Sequence, residues 1–314
     1  MVGCKLGLWI ICMWFKYFVK NSRYLLEAIT AYTIFAVFRL LPIQLVSGIG
    51  GRVATCIGPL TSAHRVGQNN LLAAFPELVD SERAEILRKT WDNFGRVMAE
   101  YAALSRLGRL SKNGRVEVCG IENISKIIAD RGPAIIISGH LGNWELAGLI
   151  SSAIIKPDAV VYRSPNNPFI VDLLRALRGL PKNSLVPKGQ YGARAVVKAL
   201  NAKGFVGLVV DQKMNTGRAI PFFGRKAMTG SAVARLALKY SCPIIPVRSQ
   251  RLNGCRFKII FEKPWTPKSS GNLIADEYSI LEHVNGILER WIRSTPEQWL
   301  WLHNRWPKDK SCDE

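Results

Sequence analysis

The chain has 314 residues, which is near the upper limit of what one α/β domain usually holds. Hydrophobic residues make up 48% and charged residues 21%, a balance that excludes a disordered polyelectrolyte, a collagen and a small disulfide scaffold. With 43 Lys and Arg against 23 Asp and Glu, the net charge of +20 favours an anionic partner: a membrane surface, an acidic protein, a phosphorylated substrate or nucleic acid.

Two apolar runs lie near the N-terminus, at residues 6–15 and 24–51. A membrane-spanning helix needs about 20 apolar residues, so the first run is too short, and the second is interrupted by Glu27 and Arg39. We predict that residues 1–55 attach the chain to a membrane, as a single anchor or as an interfacial helix pair. The alternative is a buried hairpin of a soluble protein.

The remainder, residues 56–314, shows no linker or repeat and is predicted to be one domain. Residues 82–107 have the periodicity of an amphipathic helix, and a last helical stretch, 276–302, is rich in tryptophan. Between them, short apolar strands alternate with helical patterns, which predicts an α/β fold with a mainly parallel sheet flanked by helices. The predicted strands are 116–120, 134–138, 159–163, 184–187 and 205–211, with a hairpin formed by 243–250 and 257–263.

The most informative polar residues follow the strand at 134–138, in the sequence SGHLGNWELAG. If His140 lies in the loop and Glu145 in the first helical turn, the carboxylate can bind one imidazole nitrogen and leave the other as a base. Gly142 and Asn143, near the helix start, are candidate donors to a developing oxyanion. The alternative is a structural histidine with a capping glutamate.

Other strand ends also carry polar residues. Arg163 follows one strand, and Asp211 and Gln212 follow another, so we consider them candidate substrate-binding residues. Arg218 begins a basic segment that contains two phenylalanines and would suit an amphiphile with an anionic head. The alternatives are helix caps or turns for the strand ends and a solvated loop for the basic segment.

The seven cysteines are odd in number and include no C-x-x-C, so we interpret them as reduced, mostly packing thiols of a cytosolic protein. No two of the four histidines lie at metal-ligand spacing, and we predict no metal site. The cysteines are Cys4, Cys12, Cys56, Cys119, Cys242, Cys255 and Cys312.

Seven segments along the chain together form a specific ordered pattern. They are GQNNLLAAFPEL (67–78), SGHLGNWELAG (138–148), VVYRSPNNP (160–168), VVDQK (209–213), PFFGRKAMTGSAVARLA (221–237), CPIIPV (242–247) and PEQWLWLHNRW (296–306). In this order they resemble the late acyltransferases of lipid A biosynthesis, the lauroyl and myristoyl transferases of Gram-negative bacteria. The resemblance covers nearly the whole chain, including the hydrophobic N-terminus.

The resemblance implies transfer of a fatty acyl chain from acyl carrier protein, or from coenzyme A, to a hydroxyl of a lipid A precursor. His140 would be the general base and Glu145 would orient it, with no metal or cofactor. Arg163, Asp211, Gln212 and Arg218 fall in or near segments tied to the substrate site. The implied location is the bacterial inner membrane, with the catalytic domain, 56–314, facing the cytoplasm.

Three alternatives remain open. One is an acyltransferase acting on another glycolipid, since mycobacterial-type mannoside acyltransferases share the wider pattern; the F-P-E-G-T-R block of glycerolipid acyltransferases is absent. The second is a hydrolase of acyl thioesters or lipids. The third is a basic binding module, although the sequence has no interleaved basic and aromatic motif for nucleic acid, and we predict no nucleic-acid partner.

Overall fold

The computed structural model of the protein describes residues 2–110, 114–178 and 184–306, with side chains from residue 19 onward. A long helix, α1 (Val2–Leu40), precedes a second, α2 (Ile43–Ile57), and Pro42 lies in the break between them. The further helices are α3 (Ser62–Ala74), α4 (Asp80–Glu100), α5 (Leu104–Leu107), α6 (Ser125–Asp130), α7 (Trp144–Ile154), α8 (Pro168–Arg178), α9 (Gln190–Asn201), α10 (Ala232–Tyr240) and α11 (Leu273–Ser294).

Seven strands form one sheet, in the order β1-β9-β8-β2-β5-β3-β4. Every neighbouring pair is parallel except β8 and β9, which form the antiparallel hairpin expected from the sequence. The predicted α/β class with a mainly parallel sheet is therefore confirmed. The strands are β1 (Val116–Cys119), β2 (Ala134–Ser138), β3 (Ala159–Tyr162), β4 (Leu185–Pro187), β5 (Phe205–Val209), β8 (Ile244–Arg251) and β9 (Phe257–Phe261).

Alternate residues of the central strand β2 pack into two separate apolar cores, one on each face of the sheet. Ile135 and Ile137 join the core that α9, α10 and α11 cover, whereas Ala134 and Ile136 join the core that α5 and α7 cover. The four apolar residues that begin β2 are thus buried on both faces of the sheet. This burial places the polar chemistry at the strand ends.

The N-terminal helices differ in how they contact the domain. α1 presents exposed apolar side chains, including Leu26, Ile29 and Leu40, and is held to the domain where Asn167 Nδ2 donates to the Tyr24 carbonyl at 2.8 Å. α2 packs along α4, so the predicted domain boundary at residue 55 falls within a packed helix. No helix in the described part of the chain is long and apolar enough to cross a bilayer.

Two elements differ from the sequence prediction. The basic segment, for which the sequence predicted no strand, contains a small antiparallel hairpin, β6 (Arg218–Phe222) and β7 (Arg225–Thr229), turned by Phe223 and Gly224 at positive φ. The last helix was predicted to reach residue 302, but α11 ends at Ser294 because Pro296 cannot continue it. The tryptophan-rich residues beyond it run back to the sheet.

Candidate active site

The sheet order brings two polar strand ends together. β2 pairs with β5, not with β3, the next strand along the chain, and Ser138 lies opposite Val209 in that pairing. His140 and Asp211 each follow these residues by two positions. They therefore meet at the carboxyl edge of the parallel strands, where sites of open α/β sheets form.

His140 is held by Asp211 through two hydrogen bonds. Its Nδ1 lies 2.8 Å from Asp211 Oδ1, and its backbone N–H donates to Oδ2, also at 2.8 Å. The Trp299 indole N–H donates to the same Oδ2 at 2.8 Å, so the fully buried carboxylate has protein partners on both oxygens. Because a carboxylate only accepts, neutral His140 carries its proton on Nδ1 and leaves the Nε2 lone pair available.

The electrostatics of this pair favour a charged imidazolium. Burial lowers the pKa of His140, but the charge and hydrogen bond of Asp211 outweigh it, and the net effect raises that pKa above the usual imidazole value. Burial likewise opposes ionisation of Asp211, yet the imidazole holds the pKa of the carboxyl well below its usual range. The His140 side chain remains 17% exposed, so its free nitrogen can reach a substrate.

The loop after His140 is fixed by its own backbone bonds. The Gly142 N–H donates to the Gln298 carbonyl at 3.0 Å, and the Asn143 side-chain amide donates to Glu100 at 2.8 Å. Gly142 has φ +55°, and a Cβ there would lie 2.7 Å from the Ser249 carbonyl oxygen. The Gly142 N–H and the Asn143 side-chain amide therefore both have protein acceptors, and the role of these residues as oxyanion donors stays a prediction.

A buried ion pair between Glu100 and Arg251 supports the loop that follows His140. Both oxygens of Glu100 accept from Arg251, at 2.6 and 2.9 Å, and Ser47 on α2 donates to the same carboxylate at 2.7 Å. Asn93 joins the network by accepting from Arg251 and donating to the Gly142 carbonyl. No sequence motif marks these residues, because they lie far apart along the chain.

Glu145 does not contact the His140 ring by a hydrogen bond in the described structure. It lies in the first turn of α7, where Arg178 donates to its two oxygens at 2.7 and 2.9 Å and Tyr101 donates its hydroxyl. This ion pair raises the pKa of the Arg178 guanidinium, and burial followed by the Glu145 charge raises that of Tyr101. The carboxylate on the imidazole is therefore Asp211, in place of the predicted Glu145.

The other predicted substrate-binding residues are spread around the carboxyl edge. Arg163, at the end of β3, and Gln212, after Asp211, have exposed side chains. Arg218 is 44% exposed and pairs with the buried Glu277 of α11 at 3.2 Å. Asp211 itself is fully buried, and its carboxylate accepts from His140 and Trp299, so it orients His140 and presents no exposed oxygen to solvent.

The C-terminal segment forms the second wall of the site. The Leu300 N–H donates to the His140 carbonyl at 3.1 Å, and Trp299 binds Asp211. The His303 ring packs 6.2 Å from the His140 ring, measured between centroids. The only sequence signal for this wall is the concentration of tryptophans with one histidine in WLWLHNRW, which periodicity attributes to a helix.

Cysteines and metal ligands form no further centre among the described side chains of residues 19–110, 114–178 and 184–306. Cys56, Cys119, Cys242 and Cys255 are free thiols, and no three His, Cys, Asp or Glu side chains converge as metal ligands. The predictions for Cys4, Cys12 and Cys312 lie outside the described side chains.

Comparison with known proteins identifies the family. The family model described as bacterial lipid A biosynthesis acyltransferase matches residues 15–308. The chain is 23% identical over 276 residues to the lipid A biosynthesis palmitoleoyltransferase of Escherichia coli K12, covering 84% of this chain and 86% of that protein. It is 24% identical to the lauroyltransferase of the same organism (77% and 78% covered) and 21% identical to its myristoyltransferase (80% and 77% covered).

A match over almost the whole chain, together with a histidine–carboxylate pair at the carboxyl edge of a parallel sheet, accounts for both the fold and the site. The chain therefore belongs to the bacterial lipid A biosynthesis acyltransferase family and is an acyltransferase.

Proposed function

We propose that the protein transfers a fatty acyl chain from an acyl carrier protein thioester to a hydroxyl of a lipid A precursor. His140 acts as the general base. The observation that carries this proposal is the 2.8 Å contact between His140 Nδ1 and Asp211 Oδ1, which leaves Nε2 free on a partly exposed ring. The three E. coli relatives are named for transfer of different acyl chains in lipid A biosynthesis.

The transfer needs only one group, which first accepts the proton of the hydroxyl and then donates it to the leaving thiolate. The acceptor hydroxyl gives its proton to Nε2 of His140 while its oxygen bonds to the thioester carbonyl carbon. When the tetrahedral intermediate collapses, the carbon–sulfur bond breaks, and the imidazolium returns the proton to the departing thiolate. The donor thioester is a co-substrate, and the balance requires no cofactor.

The Asp211 carboxylate supports both halves of this cycle. It fixes the tautomer that exposes a lone pair at Nε2, and it stabilises the imidazolium that forms when the proton is taken up. Its three hydrogen bonds, two from His140 and one from Trp299, prevent it from turning away. The raised pKa of His140 makes it a stronger base than a free imidazole.

The charge of the chain supports anionic partners. Acyl carrier proteins are acidic, and lipid A precursors carry phosphates, so a net charge of +20 attracts both. Arg163 is exposed at the same sheet edge as His140, where it can bind a phosphate of the acceptor. Arg218 already has a carboxylate partner and is the weaker candidate.

The exposed apolar side chains of α1 support attachment to the cytoplasmic face of the bacterial inner membrane. Leu25, Leu26, Ile29 and Leu40 are each about half exposed or more, which suits burial in lipid. The anionic inner leaflet would attract the basic chain. The acceptor, an amphiphile, would then be presented to the site from the bilayer.

A mass-shift assay tests the proposal. Membranes containing wild-type protein, His140→Ala or the control His283→Ala receive a tetra-acylated lipid A precursor and a panel of acyl carrier protein and coenzyme A thioesters. We expect one acyl mass to be gained with the wild type and the control, and none with His140→Ala. His283 lies on α11 against Trp265, outside the site described above.

Other results would contradict the proposal in distinct ways. Release of free fatty acid without an acylated lipid would identify a thioester hydrolase. If only a different glycolipid gained an acyl group, the proposed acceptor would be wrong. Full activity of His140→Ala would show that His140 is not the general base.

A further inference from the structure

The proposed transfer develops negative charge on the thioester carbonyl oxygen, and the loop beside His140 offers few donors for it. The Gly142 N–H is bonded to the Gln298 carbonyl, and the Asn143 amide is bonded to Glu100. With these two groups engaged, a donor from another element would add to the stabilisation of this oxygen. Removal of one such donor typically costs about 10²- to 10³-fold in kcat, so its identity matters.

His303 is a half-buried side chain with unused hydrogen-bonding capacity. Its Nδ1 and Nε2 are both shielded from solvent; the Leu300 backbone can engage at most one of them, and the other has no hydrogen-bond partner in the described part of the chain. The ring lies 6.2 Å from that of His140 and 5.8 Å from that of Trp299, between centroids. Buried polar atoms without partners are uncommon and costly, which points to a ligand contact.

The backbone around His303 is held in place independently of the ring. The Asn70 side-chain amide on α3 donates to the carbonyls of Trp301 and His303, both at 2.7 Å. The Leu300 N–H is bonded to the His140 carbonyl at 3.1 Å, which fixes the segment to the catalytic loop. Such fixed donors stabilise developing charge without reorganising during the reaction.

We propose that His303 is a second catalytic imidazole, whose ring N–H donates to the carbonyl oxygen of the acyl thioester as that oxygen becomes negative. This role rests on the proposed acyl transfer. His140 moves the proton, and His303 stabilises the oxyanion. No proton leaves His303 during the cycle, because a neutral imidazole donates the hydrogen bond and keeps its hydrogen.

The surroundings of His303 suit a neutral donor. Burial, with the positive charges of His140 and Arg305, lowers its pKa to about 4 against the opposing effects of Asp211 and of a backbone hydrogen bond with Leu300. The ring is therefore uncharged near pH 7 and cannot replace His140 as the group that titrates. The buried position also strengthens the hydrogen bond to a developing charge.

Steady-state kinetics of substituted proteins test this assignment. His303→Phe keeps a ring without an N–H, and His303→Leu replaces it if the phenylalanine variant does not fold. His303→Gln and His303→Asn place an amide N–H near the positions of Nε2 and Nδ1. The matched control is His283→Gln, which changes a histidine outside the site.

We expect His303→Phe to lower kcat about 10²- to 10³-fold with the KM for the thioester changed less than about threefold. At least one of the amide variants should be about tenfold faster than His303→Phe. The acid limb of the pH–rate profile should remain in the amide variants, because His140 produces it. The control should keep wild-type kinetics.

Three results would overturn the role. One is wild-type kcat in a folded His303→Phe or His303→Leu protein. Another is equal loss in the phenylalanine and both amide variants. The third is disappearance of the acid limb on substitution of His303, which would make it the base. Failure of the wild type to acylate any acceptor would instead overturn the proposed function, and this role with it.

Discussion

Asp211 determines which nitrogen of His140 is available as a base. Its Oδ1 accepts a hydrogen bond from Nδ1 of His140, and its Oδ2 accepts one from the His140 backbone N–H. The ring and the backbone of His140 are therefore oriented together. Trp299 then closes the remaining side of the carboxylate. One buried carboxylate thereby fixes the tautomer, the ring orientation and the direction of the pKa shift.

Replacing this carboxylate by an amide should weaken the base and shift the pH profile. Asp211→Asn is expected to lower kcat roughly 10²- to 10⁴-fold. Because the carboxylate raises the pKa of His140, the acid limb of kcat/KM should move to lower pH in the variant. A pH–rate profile of both proteins measures this, and an unmoved limb with wild-type kcat would contradict the pairing.

Glu145 lies near the same ring but acts on it more weakly. Its charge also raises the pKa of His140, by less than that of Asp211, whereas its hydrogen bonds go to Arg178 and Tyr101. We expect Glu145→Gln to move the acid limb less than Asp211→Asn does. A larger shift for Glu145→Gln would restore the orienting role that the sequence predicted.

The ion pair of Glu145 also has a structural consequence. Its two side chains are only 11% and 14% exposed, so Glu145→Ala leaves a largely buried guanidinium without its carboxylate. We expect a loss of about 3 kcal/mol in the free energy of unfolding, from the typical cost of breaking a buried pair. Adding Arg178→Met should recover part of it. Denaturant titration of the single and double variants provides the comparison, and additive losses would contradict it.

Helices α2 and α4 approach each other so closely that glycine is required at their crossing. A Cβ on Gly95 would lie 2.1 Å from the Gly50 carbonyl oxygen, and one on Gly50 would lie 2.4 Å from that of Gly95. The same crossing brings Ser47 within hydrogen-bond distance of Glu100. The helix pair thus supports, through Ser47 and Glu100, the loop that carries His140 and Asn143.

Substitution at this crossing should separate the helices. We expect Gly95→Ala to destabilise the protein by about 1–3 kcal/mol through overpacking. Gly286→Ala is a suitable control, since it lies in α11 where an added Cβ would meet open space, and it should stabilise the helix slightly or leave it unchanged. Thermal unfolding of both variants tests this expectation. Equal melting temperatures for Gly95→Ala and Gly286→Ala would contradict the close approach of α2 and α4.

The sequence predicted those elements that local patterns encode. The apolar strand before His140 is bounded by Gly139, so both the strand and its polar end were identified. The contact between His140 and Asp211 was missed, although both residues were candidates, because it depends on β5 lying next to β2. The β6–β7 hairpin was missed because its basic side chains resemble a solvated loop.

Two histidines of the site should affect the stability of the whole molecule in opposite directions. The pKa of His303 is lowered to about 4 in the folded protein. Between pH 6.5 and 4, therefore, this imidazole is protonated in the unfolded chain but stays neutral in the folded chain. Stability from this group is complete above pH 6.5 and lost as the pH falls towards 4. The loss is on the order of 3 kcal/mol.

His140 acts in the other direction and at higher pH. Its folded pKa is raised, so its contribution is fully present below pH 6.5 and is lost as the pH rises through the folded value. We expect maximal stability near pH 6.5, and His303→Gln should lessen the acid-side loss. Unfolding titrations from pH 4 to 9 measure this, and an unchanged acid limb in the variant would contradict a neutral, buried His303.

The return of residues 299–306 to the sheet affects the order in which the protein folds. Asn70 binds the carbonyl of His303, 233 residues further along, and Leu300 binds the carbonyl of His140. Contacts this distant in sequence form late and slow the search for the native state. During synthesis from the N-terminus, His140, Asp211 and the strands that carry them leave the ribosome before Trp299 does. The wall beside His140 is therefore missing until Trp299 and Leu300 have been made and have returned to the sheet.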